Sequence, residues 1–241
     1  MNRSGSQPEF SRGGSADRSD QTGVLRAVQP RAVATRDALL AAGRRLLATR
    51  DFDAILVADI AAANGMSVGS FYGRFRDKES YLAVLRDVVT GEWREAMDQR
   101  FSPIRTRTMN AGALVTEAVQ FIVGIFRDDY GFMLASIRYS ARRKPGWIPV
   151  RTAGDAFVDH LVRILTPSLV HLDADDARRR IRFGMQMVYG TLVNSVLNDP
   201  SPIRLADPRT ERELTRMLSL YLELPFDLAQ SCATNLPRQE D

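Results

Sequence analysis

Gly65-Met66-Ser67-Val68-Gly69 has the glycine-x-serine-x-glycine spacing of a nucleophile elbow, in which a strained turn between a strand and a helix exposes a reactive serine. The chemistry would be acyl transfer. The residues before it, Val57 to Ala63, are alanine-rich and read as helix rather than strand, so the motif lacks the required context. A second use fits the same residues better. Ser67, Gly69, Ser70, Tyr72, Gly73 and Arg74 form a run of small, hydroxyl-bearing and basic side chains. Small residues let a backbone approach a groove wall. Serine and arginine reach base edges, and tyrosine donates to phosphate.

The elements that must hold this run are legible as two short helices and a turn. Val57, Ile60 and Ala61 give an inward stripe over Val57 to Ala63, and Asn64-Gly65 breaks it. Ser67 is placed to cap a helix from Val68 to Phe75, whose inward face is Val68, Phe71 and Phe75; Val68 is equally suited to a groove. This is a helix-turn-helix. A longer helix precedes it, with Thr35 as its cap and Leu39, Ala42, Leu46 and Leu47 on one stripe. Asp51 follows, where a left-handed residue would end that helix. Asp77 caps a fourth helix that begins Lys78-Glu79-Ser80 and runs through Leu85 and Val89.

Further helices are expected over Ala113–Phe126, Phe132–Arg143, Ala156–Leu165, Asp173–Leu197 and Arg209–Leu222, with breaks at Pro145-Gly146, Pro167, Asn198-Asp199-Pro200 and Pro225. No alternating strand pattern or internal repeat is present. The fold class is all-α: a three-helix helix-turn-helix unit over residues 31–85 and a larger helical domain over 86–224. Residues 1–30 and 225–241 read as tails. Arg3, Arg12, Arg18, Arg26 and Arg31 could reach DNA, but Glu9, Asp17 and Asp20 offset them, which favours a solvated leader.

Composition narrows the alternatives. The 241 residues carry 33 basic and 29 acidic side chains and are 44% hydrophobic, enough for a substantial core. One cysteine and two histidines exclude a cysteine-rich zinc site. Neither histidine follows a glutamate by three residues, against a di-iron bundle. The Asp173-Ala174-Asp175-Asp176 cluster lacks the glycine and glutamate of a calcium loop and reads as an acidic helix start. No phosphate loop, cofactor motif, metal site, catalytic pair, membrane span or secretion signal is found, and a cytoplasmic location is expected.

From Thr35 to Leu85 the chain resembles the DNA-binding domain of the TetR (tetracycline-repressor) family of bacterial regulators. The resemblance rests on Thr35-Arg36, Leu39-Leu40, Ile60-Ala61, Gly65-Met66-Ser67, Gly69-Ser70-Phe71-Tyr72, Phe75, and Lys78-Glu79 followed by Leu82. It departs at Asp51, where the family usually has glycine, at Leu56, a common site of a capping threonine or serine, at Gly43 for alanine, and at Arg74 for histidine or tyrosine. The resemblance implies that Thr35 and Lys78 contact phosphate, that Tyr72 contacts phosphate or a thymine methyl, and that Ser67, Val68, Gly69 and Ser70 line the groove beside Arg74. It implies a homodimer on double-stranded operator DNA and a small-molecule effector in the larger domain.

Candidates for the effector pocket are Phe121, Phe126, Met133, Tyr139, Trp147, Met185 and Tyr189, though taken singly each is better suited to an ordinary core. Arg138, Arg142, Arg143 and Lys144 could attract an acidic ligand or form a wet helix end. Candidates for the dimer interface are Met185, Val188 and Leu192 on one long helix and Leu214, Met217, Leu218 and Tyr221 on the last. The reading from another class is an all-helical enzyme or small-molecule-binding protein with no DNA role. Among regulators, release by ligand, corepression and activation are served by the same residues.

Overall fold

The computed structural model describes residues 30–142, 148–199 and 203–225. Ten α-helices lie among them: α1 (Pro30–Leu47), α2 (Val57–Ala62), α3 (Val68–Tyr72), α4 (Lys78–Arg100), α5 (Pro103–Thr106), α6 (Ala111–Asp128), α7 (Tyr130–Arg142), α8 (Ile148–Leu165), α9 (Ala174–Asn198) and α10 (Arg209–Tyr221). No helix among these residues is long and apolar enough to cross a membrane.

The first three helices pack on the start of α4 around an aromatic cluster. Phe71, Phe75 and Tyr81 are almost fully buried, with ring centroids 5.0 to 5.3 Å apart. Leu39, Ile60, Leu82 and Leu85 close this core. The 23-residue α4 is continuous across residue 85 and spans about 35 Å at the standard rise. It joins the small unit to the larger one, where it packs on α8. There α6, the most apolar helix, packs on α10, and α9 lies against α8, α10, α6 and α7.

Two local expectations are corrected. Thr35 does not cap α1. That helix starts a turn earlier at Pro30, a residue suited to a first helical position, and the Thr35 hydroxyl donates to the Arg31 carbonyl at 2.9 Å. Asp51 is not left-handed. Its φ is −62° and ψ 142°, because the chain leaves α1 through tight turns at Ala48 to Arg50 and enters a short 3-10 turn, Phe52–Ala54. Glycine is therefore not needed there. The sequence reading also missed that 3-10 turn and α5.

The dimer stripe is corrected as well. Met185, Val188 and Leu192 are completely buried within the single chain, and Leu214 and Leu218 nearly so. α9 is flanked by four helices, so its most apolar stripe is used internally. The apolar side chains left outside on this pair are Phe183, Met187 and Leu197 on α9 and Leu220 and Tyr221 on α10.

Candidate DNA-reading surface and effector cavity

The turn before α3 is built from its glycine. Gly65 has φ of +63°, and the Gly65 and Met66 N–H groups return to the carbonyls of Ala62 and Ala61, both at 2.9 Å. Asn64 ties this turn to α1. Its amide donates to the Ala38 carbonyl at 2.8 Å, and its carbonyl accepts from Arg45. The sequence marked Asn64 only as a breaker. Ser67 caps α3 as expected, its hydroxyl accepting from the Ser70 N–H at 3.3 Å and lying 3.1 Å from the Ser70 hydroxyl. A helix, α2, precedes it in place of the strand an elbow serine requires. At Leu56 no side chain caps α2, and the reciprocal half of a capping box stands alone: the Asp59 carboxylate accepts the Leu56 N–H at 2.9 Å.

The exposed side of α3 gathers Ser67, Val68, Gly69 and Tyr72, with Ser70 half-buried beside them. Val68 is 41% exposed and Tyr72 51%, whereas Phe71 is fully buried, so Val68 is not part of the inward face. Gly73 is exposed as well. Arg74 is turned away from a free charge: its Nε donates to the Ala32 carbonyl of α1 at 3.1 Å. Lys78 is not on an open face beside Tyr72. Its ammonium donates to the carbonyls of Phe52 and Asp53 and sits 4.3 Å from the centre of the Phe52 ring. Burial pushes its pKa down. Thr35 is half-buried in the body of α1.

Among α4, α6, α7, α8 and α9 a cavity of about 360 Å³ is lined by Trp93, Met97, Phe121, Ile122, Ile125, Phe126, Met133, Val150, Phe157, Tyr189 and Val193. Phe121, Phe126, Met133 and Tyr189, named from the sequence as pocket candidates, are among these lining residues. Met185 is not; it is buried in the core beside α9's neighbours. Tyr139 lines a separate recess with Phe52, Lys78 and Arg138, between α7 and the start of α4. Trp147 lies outside the described residues, as do Arg143 and Lys144. Trp93, Met97 and Phe157 were missed. Trp93 and Met97 belong to α4, whose apolar stripe continues past Val89 at helical spacing, and that continuation was the available signal. Exposed Arg94, Arg151, Asp155 and Gln186 also line the cavity and mark its mouth. The Tyr189 hydroxyl packs beside Gly154 and has no hydrogen-bond partner among the described residues. Its pKa is driven up by burial, with Asp155 adding to the effect.

The sequence of residues 39–84 matches the family model described as bacterial regulatory proteins, tetR family. No curated protein matches the chain in sequence. Among solved structures, a Rhodococcus sp. protein described as a TetR-family transcriptional regulator superimposes with a TM-score of 0.58 at 15% identity, covering 78% of this chain and 99% of its own. The TetR-family regulator PfmR from Thermus thermophilus gives 0.56 at 16% identity, covering 78% and 99%. The regulator FadR from Bacillus subtilis, solved with stearoyl-CoA, gives 0.54 at 18% identity, covering 79% and 99%. At these identities the likeness is one of fold.

Proposed function

We propose that this chain, whose residues 39–84 form a DNA-binding domain of the tetR type, is a transcriptional regulator that binds operator DNA as a homodimer and answers to a small molecule. The observation that carries the reading is the exposed face of α3. A short helix fixed by a cap, a glycine turn and a buried aromatic cluster presents Ser67, Val68, Gly69 and Tyr72 outward, with no apolar core to explain their exposure. Such a helix enters a major groove, and two copies read half-sites about one helical turn apart or a multiple of it.

The cavity supports the effector half of the reading. Its wall is apolar and aromatic, and at its mouth the two cations Arg94 and Arg151 outnumber the one carboxylate, Asp155, which favours an amphipathic acid with its apolar body inside. FadR carries a ligand with an apolar chain of this general kind. The exposed Phe183, Met187, Leu220 and Tyr221 supply the apolar surface for a second copy across α9 and α10.

The test is a binding assay on the DNA immediately upstream of the chain's own gene and its neighbours, with footprinting to give the half-site spacing. Tyr72→Ala is expected to abolish specific binding while helical content and dimer mass persist. Unchanged operator affinity in that variant, at fixed salt, sinks the assigned surface.

A further inference from the structure

The start of α7 touches the cavity and the reading head at once. Asp129, just before its first residue, is only 5% exposed, and its two carboxylate oxygens go to different domains. Oδ2 accepts the indole N–H of Trp93 at 2.8 Å, and Oδ1 accepts from the Arg44 guanidinium at 2.7 Å. Trp93 lines the cavity. Arg44 belongs to α1, which packs on α2 and α3. Burial works against the Arg44 charge, but Asp129 and Glu92 outweigh it and raise its pKa. Phe132 meets the Trp93 ring edge-on at 5.7 Å, and Met133 is itself in the cavity wall. Between Asp129 and Phe132, Gly131 lies so close to the Leu47 carbonyl, at the end of α1, that no side chain fits.

A buried carboxylate is costly to leave without donors, so Asp129 must follow them. It has two such side chains, one on each oxygen of a single rigid group. When the carboxylate rotates to stay with Trp93, Oδ1 is carried away from Arg44. The backbone contact at Gly131 offers no flexible side chain to take up the difference.

We propose that Trp93, Asp129 and Arg44 form the coupling between cavity and reading head: a molecule that displaces the Trp93 ring re-aims α1 through Asp129. This deepens the ligand-responsive reading and rests on it. Asp129 is a positioning residue, touching neither effector nor DNA.

The experiment uses the full chain, the operator fragment defined by footprinting, and decanoate as the probe of the cavity. Operator affinity is measured by fluorescence anisotropy at fixed salt, without decanoate and at saturation, and the ratio is the coupling. Trp93→Phe keeps an aromatic ring in the wall and removes the N–H. Its affinity for decanoate is measured separately so that the variant is compared at its own saturation, and there the ratio is expected to fall from roughly tenfold, typical of such couplings, to near one. Arg44→Lys, which keeps the charge but cannot hold both carboxylates as a fork, carries the same expectation from the other end and guards against a folding defect in the first variant. A purely structural role would lower both affinities and leave their ratio alone. A full ratio in both variants overturns the coupling and spares the regulator reading. No decanoate effect on the unaltered chain removes the ligand-responsive reading, and the coupling falls with it.

Discussion

The hydroxyl of Tyr81 fills the volume that a side chain on Gly43 would occupy. Tyr81 is buried, and its hydroxyl donates to the Leu39 carbonyl at 2.9 Å one turn back along α1. Gly43→Ala must therefore push out a satisfied buried donor, and a loss of about 1–3 kcal/mol is expected from overpacking. Tyr81→Phe in the same chain should recover part of it, because only the hydroxyl is removed and the ring still crowds the site. Urea denaturation of the two single variants and the double variant checks this. Strict additivity would count against the assigned contact.

Ser67 serves the fold and the surface together. Ser67→Ala removes the acceptor for the Ser70 N–H and should cost about 1 kcal/mol of stability, as helix caps do. Ser67→Asp restores the cap but places a negative charge on the reading face. It should fold as well as the parent and bind operator worse, measured by denaturation and by anisotropy respectively.

Lys78 and Tyr72 should separate in a stability assay. Lys78→Ala strips the donor from the Phe52 and Asp53 carbonyls and uncovers the Phe52 ring, so the melting temperature falls. Tyr72 is half exposed, and its replacement should stay within about 0.5 kcal/mol of the parent. Equal melting shifts for the two would refute the inward role given to Lys78.

Acid should loosen the helix starts. Asp77 accepts the Ser80 N–H at 2.7 Å, and that bond, helped by Arg76, lowers its pKa. Asp59 and Asp173 are lowered by the same kind of backbone bond, from Leu56 and Asp176. A carboxyl whose pKa is lower folded than unfolded adds stability above the unfolded value of 3.8 and loses it as pH falls through the folded one. Stability should decline below about pH 4, and Asp77→Asn, which caps in both states, should flatten that decline. Denaturant midpoints across this range are the measurement, and an unaltered slope in the variant would exclude Asp77 as a contributor.

Association should depend on the outer side of α9. Phe183 is 49% exposed and meets the Tyr221 ring at 5.8 Å, and Met187 is 48% exposed. Phe183→Glu with Met187→Glu should give a folded monomer in sedimentation. Met185→Ala, on the inward side of the same helix, should instead destabilise the fold by about 2–5 kcal/mol. A dimer that survives the paired glutamates places the interface elsewhere.

What could be read from the residues depended on how local the cause was. The α3 cap at Ser67, the α4 cap at Asp77 and the Gly65 turn follow from short-range hydrogen bonding, and they were legible. Periodicity also placed α6, α7, α9 and α10 to within about two residues, but it began α8 at Ala156, whereas that helix starts two turns earlier at Ile148. It failed where the choice of neighbour decides. The stripe of Met185, Val188 and Leu192 looks the same whether it faces its own core or a second copy, and only the packing of α6, α7, α8 and α10 around α9 settles it. Lys78 carries no local mark that a 3-10 turn some 25 residues earlier will bind it. Trp93 and Phe157 reach the cavity from helices far apart in sequence, so a list drawn from aromatic clusters along the chain passed over them.

The near-touching backbones at Gly131 and Leu47 set the kind of motion open to the molecule. On the proposed coupling, that point is the fulcrum about which α1 would tilt, and a few degrees there would displace the far end of the helix much more than the contact itself.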